Sequence, residues 1–356
     1  MGDAVFIMSV ELDMELVREL TEASGVVGAE GPIRSIIQRE LAGIADEVRV
    51  DAMGNLVATI NPGGDASVLV GAHMDEIGFM IRHIDDDGFL TLDALGGWDA
   101  STLLAQRVRV HTDTGTIPAV IGAVPPHTKA DDDRKAPELK DLRVDTGLDT
   151  ESVQEAIAVG DVVSLEQQTI TIGEYITGKA IDDRICVYAL LAVAAATEDP
   201  AVTVHLAFTV QEEVGLRGAE ALGIDIDPMV ALALDTTVAN DIPSVDSGQA
   251  VTELGAGVAL KLKDGSVVTS PAVRRRLQAI ADTEEIALQY EVLPRGGTDT
   301  ARFQRAHKAT PVGALSVPTR YLHTATEVAA PTDVVALIDL VNAFIATASP
   351  DDSYAL

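Results

Sequence analysis

The chain has 356 residues, of which 56 are acidic and 25 are Lys or Arg, and its formal net charge is -31. This charge excludes a nucleic-acid-binding protein, because contacts to phosphates require clusters of basic residues. The acidic residues are spread along the chain rather than collected in a tail, which indicates a hydrated acidic surface. We interpret this surface as that of a protein from a salt-loving organism, in which ions screen the self-repulsion. Ordinary acidic solubility is the alternative interpretation.

The remaining composition is that of a globular protein larger than one average domain. The hydrophobic fraction of 47% is sufficient for a large core, and we expect two folding units. No targeting peptide and no apolar run of membrane length is recognisable, so we expect a soluble, cytoplasmic protein without a membrane partner. The single cysteine, Cys186, lies in an apolar helical pattern, which predicts a small buried hydrophobic residue.

The predicted elements begin with two amphipathic helices, the first capped by Ser9 and the second started by Pro32. A hairpin follows around Met53 and Gly54, and SVLVGAHMD then reads as a buried strand that ends at His73. From residue 167 to residue 348, helical and strand patterns alternate, beginning with the helix in DDRICVYALLAVAAATE. This alternation favours an α/β fold with a mixed, largely parallel sheet sandwiched by helices.

Residues 76–166 differ from the rest, because they contain short strand-like segments separated by turn signals at Asp87-Gly88, Gly96-Gly97 and Gly115. We predict that this stretch is an inserted all-β module, with an exposed loop in PPHTKADDDRKAPELKDLR. Residues 1–75 and 167–348 are then the two parts of one α/β domain. Residues 349–356 are expected to be a frayed tail.

Side chains that bind metals recur where the predicted strands end. Loops that follow the carboxyl ends of strands converge over one edge of an open α/β sheet, so we expect these side chains to meet there. The candidates are His73 and Asp75 after SVLVGA, Glu212 and Glu213 after TVHLAFTVQ, Asp235 after MVALAL, His323 after ALSVPTRY, and Asp182 at the start of a helix.

Two histidines and three or more carboxylates, without a thiolate, suit Zn²⁺, Co²⁺ or Mn²⁺. Five such ligands suit two ions about 3.5 to 4 Å apart that share one carboxylate. Glu212 and Glu213 can serve the same site only if the strand bends, because consecutive strand residues point to opposite faces. One glutamate then binds metal while the other is the general base. Taken singly, each residue also has a structural explanation; Asp182, for example, is a possible helix cap.

The chain resembles the tetrahedral (TET) aminopeptidases, a family of zinc or cobalt metallopeptidases related to the glutamyl aminopeptidases. The resemblance runs nearly end to end and depends on several long motifs in the order that the family has. These motifs are GAHMDEIGFMI, LGGWDASTLLAQRV, VPPH, GKAIDDR, TVQEEVGLRGA, ALDTTVANDIP, PRGGTDTARF and PTRYLHTATEV.

The resemblance implies a zinc-exopeptidase-like fold, in which the inserted module is a small β-barrel-like dimerisation domain and dimers assemble into a tetrahedral homododecamer. It also implies two divalent metal ions per subunit, Zn or Co, with Asp182 as the bridging ligand. One ion is then held by His73, Asp182 and Asp235, and the other by Asp182, Glu213 and His323. Glu212 corresponds to the general base, and Asp75 to the carboxylate that orients His73.

The function implied is hydrolysis of amino-terminal residues from peptides, with Glu212 moving a proton from an attacking hydroxide or water that bridges the two metals. The acidic surface disfavours acidic amino termini, and GGTDTARF is expected to line the substrate pocket. A glycoside hydrolase that uses Glu212 and Glu213 is a second interpretation, although only 3% of residues are aromatic and available to stack sugars. A metal-binding assembly protein without peptidase activity is a third.

Overall fold

The computed structural model describes residues 12–124, 136–243, 245–246, 250–305 and 309–355. The α-helices of these ranges are α1 Met14–Glu22, α2 Gly31–Glu40, α3 Thr150–Ala156, α4 Ile181–Ala196, α5 Arg217–Asp225, α6 Pro271–Thr283, α7 Thr300–Phe303 and α8 Pro331–Ala346. The β-strands are β1 Glu47–Val50, β2 Leu56–Ile60, β3 Ser67–His73, β4 Gly78–Ile84, β5 Leu90–Leu95, β6 Arg107–Thr112, β7 Gly115–Ile121, β8 Val144–Asp145, β9 Val162–Leu165, β10 Ile170–Ile172, β11 Tyr175–Gly178, β12 Thr203–Thr209, β13 Val230–Val238, β14 Val258–Lys263, β15 Leu288–Val292, β16 Val312–Arg320 and β17 Glu327–Ala329.

Eleven of these strands form one mixed sheet whose centre is parallel. The four central strands, in the order β12-β3-β13-β16, pair in parallel, and antiparallel strands extend the sheet on both sides. The central strands are buried along nearly their whole length, as expected for a sheet that helices cover on both faces. The prediction of an α/β fold with a mixed sheet is therefore confirmed. Because the four strands run in the same direction, their carboxyl ends share one edge of the sheet.

Alternate residues of the central strands enter two hydrophobic cores. In β3, Val68 and Val70 pack into the larger core with α1, α4 and α8, whereas Leu69 packs into a smaller core on the opposite face. That second core also contains Leu222 of α5 and Phe303 of α7. The period of two along β3 thus places helices on both sides of the sheet.

The segment between β3 and β10 contains a closed barrel in the order β4-β5-β8-β7-β6-β9, which confirms the predicted β-barrel-like insertion. Its interior holds aliphatic and aromatic side chains such as Phe79, Val108 and Val163. Trp98 closes one side, since its ring stacks on Phe79 at 4.8 Å and its Nε1 donates a hydrogen bond to the Gly78 carbonyl.

Two predictions that concern helices differ from the structure. Asp13 caps α1 by accepting the N–H groups of Glu15 and Leu16, whereas Ser9 lies outside the described residues. The inserted segment is not wholly β, because Asp149 caps α3 and Val153 of that helix reaches the barrel core.

The end of the described chain is packed rather than frayed. Tyr354 is buried, and its ring lies 6.1 Å from that of Phe344 in α8. Most of the predicted exposed loop, residues 125–135, lies outside the described part of the chain. Within the ranges that the structure describes, no helix is both long and apolar enough to cross a bilayer.

Candidate active site

The parallel strands carry most of the predicted site residues to one edge of the sheet. His73 is the last residue of β3, Asp235 lies in the second half of β13, and His323 follows the end of β16. Glu212 and Glu213 follow β12, which pairs with β3 so that Thr209 lies beside His73.

The chain bends immediately after β12. Gln211 has a left-handed backbone conformation with φ of 55°, so Glu212 and Glu213 leave the regular strand geometry. Asn55 supports the bend by accepting the N–H of Val210 and donating to the carbonyl of Gly218. This geometry allows neighbouring glutamates to face the same site, as the sequence analysis required.

Asp182 and Asp183 lie at the start of α4 but have non-helical backbone angles, and the peptide bond that joins them is cis. Asp182 makes no side-chain capping bond, so the alternative explanation as a helix cap does not apply. Its two carboxylate oxygens instead approach two different histidines. Oδ1 lies 3.3 Å from Nε2 of His73, and Oδ2 lies 3.5 Å from Nε2 of His323.

The result is two groups of three potential ligands that share Asp182. In each group the ligand atoms lie within 4.8 Å of one another, the first being His73, Asp182 and Asp235 and the second Asp182, Glu213 and His323. Nε2 of His73 is 3.9 Å from Asp235 Oδ1, and Nε2 of His323 is 3.5 Å from Glu213 Oε2. Two nitrogen donors with three carboxylates, in two triads with one common member, fit a pair of divalent cations.

The charges of the site also fit bound cations. Burial is the main reason that the pKa of Asp235 is raised well above its usual range, and burial together with the charge of Asp182 raises the pKa of Glu213 to about 7. Burial opposes ionisation of Asp182 as well, but hydrogen bonds with His323 and His73 outweigh it and lower the pKa of that carboxyl. Oε1 of Glu213 is buried without a hydrogen-bond partner among the described residues. Carboxylates so crowded and desolvated need positive charge nearby.

Three further buried carboxylates bind the backbone of the candidate ligands. Asp75 accepts the N–H of Glu212 at 3.0 Å and that of Glu213 at 3.2 Å. It also lies 3.5 Å from Nδ1 of His73, the residue that the resemblance implies it orients, although this contact is longer than a normal hydrogen bond.

Glu327 and Asp183 were not recognised from the sequence as parts of the site. Glu327 accepts the N–H of Asp182 at 3.0 Å and that of His323 at 2.8 Å, and burial raises the pKa of this carboxyl to about 8. Asp183 accepts the N–H of His73 at 3.2 Å. Each candidate ligand other than Asp235 is thus held through its backbone by a buried carboxylate.

The double glycine that precedes Trp98 passes directly beside the site. A Cβ atom added at Gly97 would lie 2.9 Å from Nδ1 of His323, and one at Gly96 would lie 2.3 Å from the side chain of Ile77. Gly96 also has a φ of 95°, which favours glycine. The barrel-bearing segment can approach the histidine this closely only because these positions lack side chains.

The two triads open into a cavity of about 360 Å³. Its wall includes Glu212, which belongs to neither triad, and side chains or backbone from the loops around the sheet edge. These lining residues are Leu216, Thr236, Thr237, Val238, Lys261, Leu293, Gly296, Gly297, Thr298 and Leu322. The GGTDTARF stretch therefore contributes backbone to the wall as predicted, whereas Lys261 was not foreseen because β14 was not recognised as a strand.

Three further charged residues, Arg184, Arg302 and Asp299, pair with protein groups. Arg184 is fully buried, donates to the carbonyl of Leu20 and lies 3.7 Å from Glu76. Arg302 lies 3.3 Å from Glu220 at the surface. Asp299 is buried and accepts a hydrogen bond from Thr209 instead of capping α7.

Known proteins are similar to this chain over most of its length. A model of the M42 glutamyl aminopeptidase family matches residues 54–340. The lysyl aminopeptidase of Pyrococcus furiosus is 34% identical over 348 residues, covering 96% of this chain and 99% of that protein.

Solved structures are similar over the same length. Aminopeptidase APDkam598 from the archaeon Desulfurococcus kamchatkensis shares 37% identity with a TM-score of 0.91, and the match covers 95% of each chain. The TET1 peptidase of Pyrococcus horikoshii, which can assemble into a tetrahedron or a large octahedral shell, shares 33% identity with a TM-score of 0.86, covering 94% of this chain and 99% of that one. The chain therefore belongs to the M42 glutamyl aminopeptidase family and is an enzyme of the aminopeptidase class.

Proposed function

We propose that this aminopeptidase removes amino-terminal residues from peptides with two divalent metal ions and Glu212 as the general base. The observation that supports it most strongly is the pair of triads that share Asp182. His73, Asp182 and Asp235 would hold one ion, and Asp182, Glu213 and His323 the other. When bound, two such ions polarise a carbonyl oxygen and make water reactive near neutral pH.

In this proposal Glu212 moves the proton that hydrolysis requires. It lines the cavity beside both triads, its backbone N–H is fixed by Asp75, and its carboxylate is not a member of either triad. A carboxylate in this position takes a proton from the attacking water and delivers it to the nitrogen of the breaking peptide bond. Water supplies the oxygen that joins the carbonyl carbon, and the leaving amine departs protonated.

The role of Glu212 is tested by Glu212→Gln, which preserves the shape of the side chain. The variant is expected to bind two metal ions per chain and to lose at least about 10²-fold in turnover of aminoacyl-p-nitroanilides. Loss of metal in parallel with activity would instead assign Glu212 as a ligand. Chelator must abolish wild-type activity, and hydrolysis of a glucan that survives chelation would favour the glycoside hydrolase interpretation.

We propose that the protein is a homo-oligomer, and specifically a tetrahedral dodecamer built from dimers. Support comes from the similarity to the TET1 peptidase of P. horikoshii and from the closed barrel between β3 and β10, which would provide the dimer contact. In this proposal residues 1–75 and 167–348 form the catalytic domain and residues 76–166 the dimerisation domain. Light scattering of the purified protein distinguishes a dodecamer from a dimer or a monomer.

A further inference from the structure

The cavity is also lined by a cationic side chain that belongs to neither triad. Lys261 of β14 is the only lysine or arginine among the described lining residues, and it is 1% exposed. The positive charge of Lys261 acts on Asp235 of the first triad: burial raises the pKa of Asp235, and the charge of Lys261 opposes that shift. A lone ammonium at this wall would attract an acidic side chain.

The ammonium of Lys261 is not free. Strands β14 and β15 pair in parallel with Lys261 opposite Glu291, and the Lys261 Nζ donates a hydrogen bond to Oε1 of Glu291. The side chains of the pair are 2% and 0% exposed. Glu291 itself does not line the cavity, so it cancels the charge of Lys261 without offering a carboxylate to a substrate.

Apart from Lys261, Glu212 and the members of the two triads, the described lining residues carry no charge. Val238, Leu293 and Leu322 contribute aliphatic surface, and Thr236 and Thr237 contribute small side chains. The loop that holds Leu293 is fixed by two backbone hydrogen bonds, from Leu293 N–H to Lys263 and from Gly265 N–H to the carbonyl of Gly296.

We propose that Glu291 is a specificity-determining residue: by neutralising Lys261 it makes the pocket selective for an uncharged, aliphatic amino-terminal side chain. This inference rests on the proposed aminopeptidase function. An acidic substrate side chain loses its hydration in the pocket and finds no unpaired cation to compensate for that loss. A basic side chain finds no carboxylate in the lining other than Glu212 and the triad members, which the proposed reaction uses, whereas Leu gains the burial of its apolar surface.

The test compares kcat/KM for Leu-, Glu- and Lys-p-nitroanilide in the metal-loaded wild type and in Glu291→Gln. The wild type is expected to prefer Leu over both others by about 10²-fold. Glu291→Gln leaves Lys261 without its counter-charge, so the ratio of Glu to Leu hydrolysis is expected to rise at least about tenfold. An unchanged ratio in a folded Glu291→Gln protein would overturn the proposal.

A second variant is informative even if Glu291→Gln does not fold. The double variant Lys261→Met with Glu291→Gln removes both charges and is expected to keep the preference for Leu without a gain for Glu. A double variant that hydrolyses the Glu substrate fastest would contradict the proposal. Glu166→Gln is the matched control, because Glu166 pairs with Arg109 in the barrel and does not line the cavity, so the ratio must stay at the wild-type value.

Calorimetric binding of the free amino acids provides a readout other than turnover. L-Leucine is expected to bind the wild type more tightly than L-glutamate, with a smaller difference in Glu291→Gln. A wild type that hydrolyses Glu- or Lys-p-nitroanilide fastest refutes the specificity proposal alone. A metal-loaded wild type that hydrolyses none of the three substrates refutes the proposed function itself.

Discussion

Glu327 and Asp75 support the candidate active site in the same way. Each accepts backbone N–H hydrogen bonds from two residues of that site. Glu327 binds Asp182 and His323, and Asp75 binds Glu212 and Glu213. Both carboxylates are buried, at 2% and 0% exposure. Each joins chain segments that are distant in sequence, so the geometry of the site depends on groups that need not touch a metal or a substrate.

We expect Glu327→Gln to weaken metal binding by about 10- to 100-fold. Asp182 and His323 donate to different oxygens of Glu327, and glutamine replaces one of these oxygens with an NH₂ donor, so one of the two N–H groups loses its acceptor. Metal affinity is measured by titration of the apoprotein, and Glu174→Gln at an exposed turn is the control. Unchanged affinity in Glu327→Gln would show that this carboxylate does not position the ligands.

Gly97→Ala is expected to reduce affinity for the metal held by His323, because the new methyl group would lie 2.9 Å from Nδ1 of that ring. The ring must shift, and a displaced ligand typically costs about 10- to 100-fold in affinity. Gly122→Ala is a matched control in the same inserted segment, since a Cβ there meets nothing within 4 Å. Equal metal binding by the two variants would contradict the proposed packing of Gly97 against His323.

The stability of the protein should carry a pH dependence that originates at Asp333, which is not one of the proposed ligands. This carboxyl accepts the N–H groups of Gly255 and Gly257, yet burial raises its pKa to about 6. At pH values between about 4, the pKa of Asp333 in the unfolded chain, and its higher pKa in the folded protein, the folded state therefore binds more protons than the unfolded state. The contribution of Asp333 is most favourable at low pH and is lost as the pH rises through that window.

Thermal denaturation of the wild type and of Asp333→Asn measures this contribution. The pH range is about 4 to 7, because the folded pKa of Asp333 is raised to about 6. The melting temperature of the wild type minus that of the variant is expected to fall as pH increases over the window. A difference that stays flat or rises would show that Asp333 is not the group that titrates.

Salt is expected to support both assembly and activity, because the chain carries a net charge of -31. The Debye length is about 3 Å in molar salt and about 30 Å at 0.01 M. When the salt concentration is lowered, the repulsion between the acidic surface groups is therefore no longer screened. Light scattering and turnover measured across this range should both decline as salt is removed. Undiminished assembly and turnover in dilute buffer would favour ordinary acidic solubility instead.

The sequence was sufficient to predict the elements whose patterns are self-contained. The strand that ends at His73 and the helix after Asp182 are marked by long apolar runs, and the turn glycines of the barrel mark its hairpins. Residue type alone favours Ser9 as the cap of α1, whereas Asp13 caps that helix, because several polar residues precede it and only geometry selects one.

The contacts that position the site could not be predicted in the same way. Glu327 acquires its role only when the turn after β16 brings His323 beside the start of α4, and Lys261 meets Glu291 only through the register of β14 with β15. Gly97 was read as part of a turn, and its proximity to His323 depends on how the barrel segment passes the sheet edge. Such long-range pairings leave no periodic signal in the sequence.

The central claim is that two metal ions bind through a shared Asp182. The most direct test of this claim is the number of metal ions bound per chain. Elemental analysis of the wild type is expected to give two divalent ions per chain. Asp182→Asn should lose both ions, whereas Glu213→Gln and Asp235→Asn should each weaken one of the two. A wild type that binds a single ion, or an Asp182→Asn variant that retains two, would contradict the account.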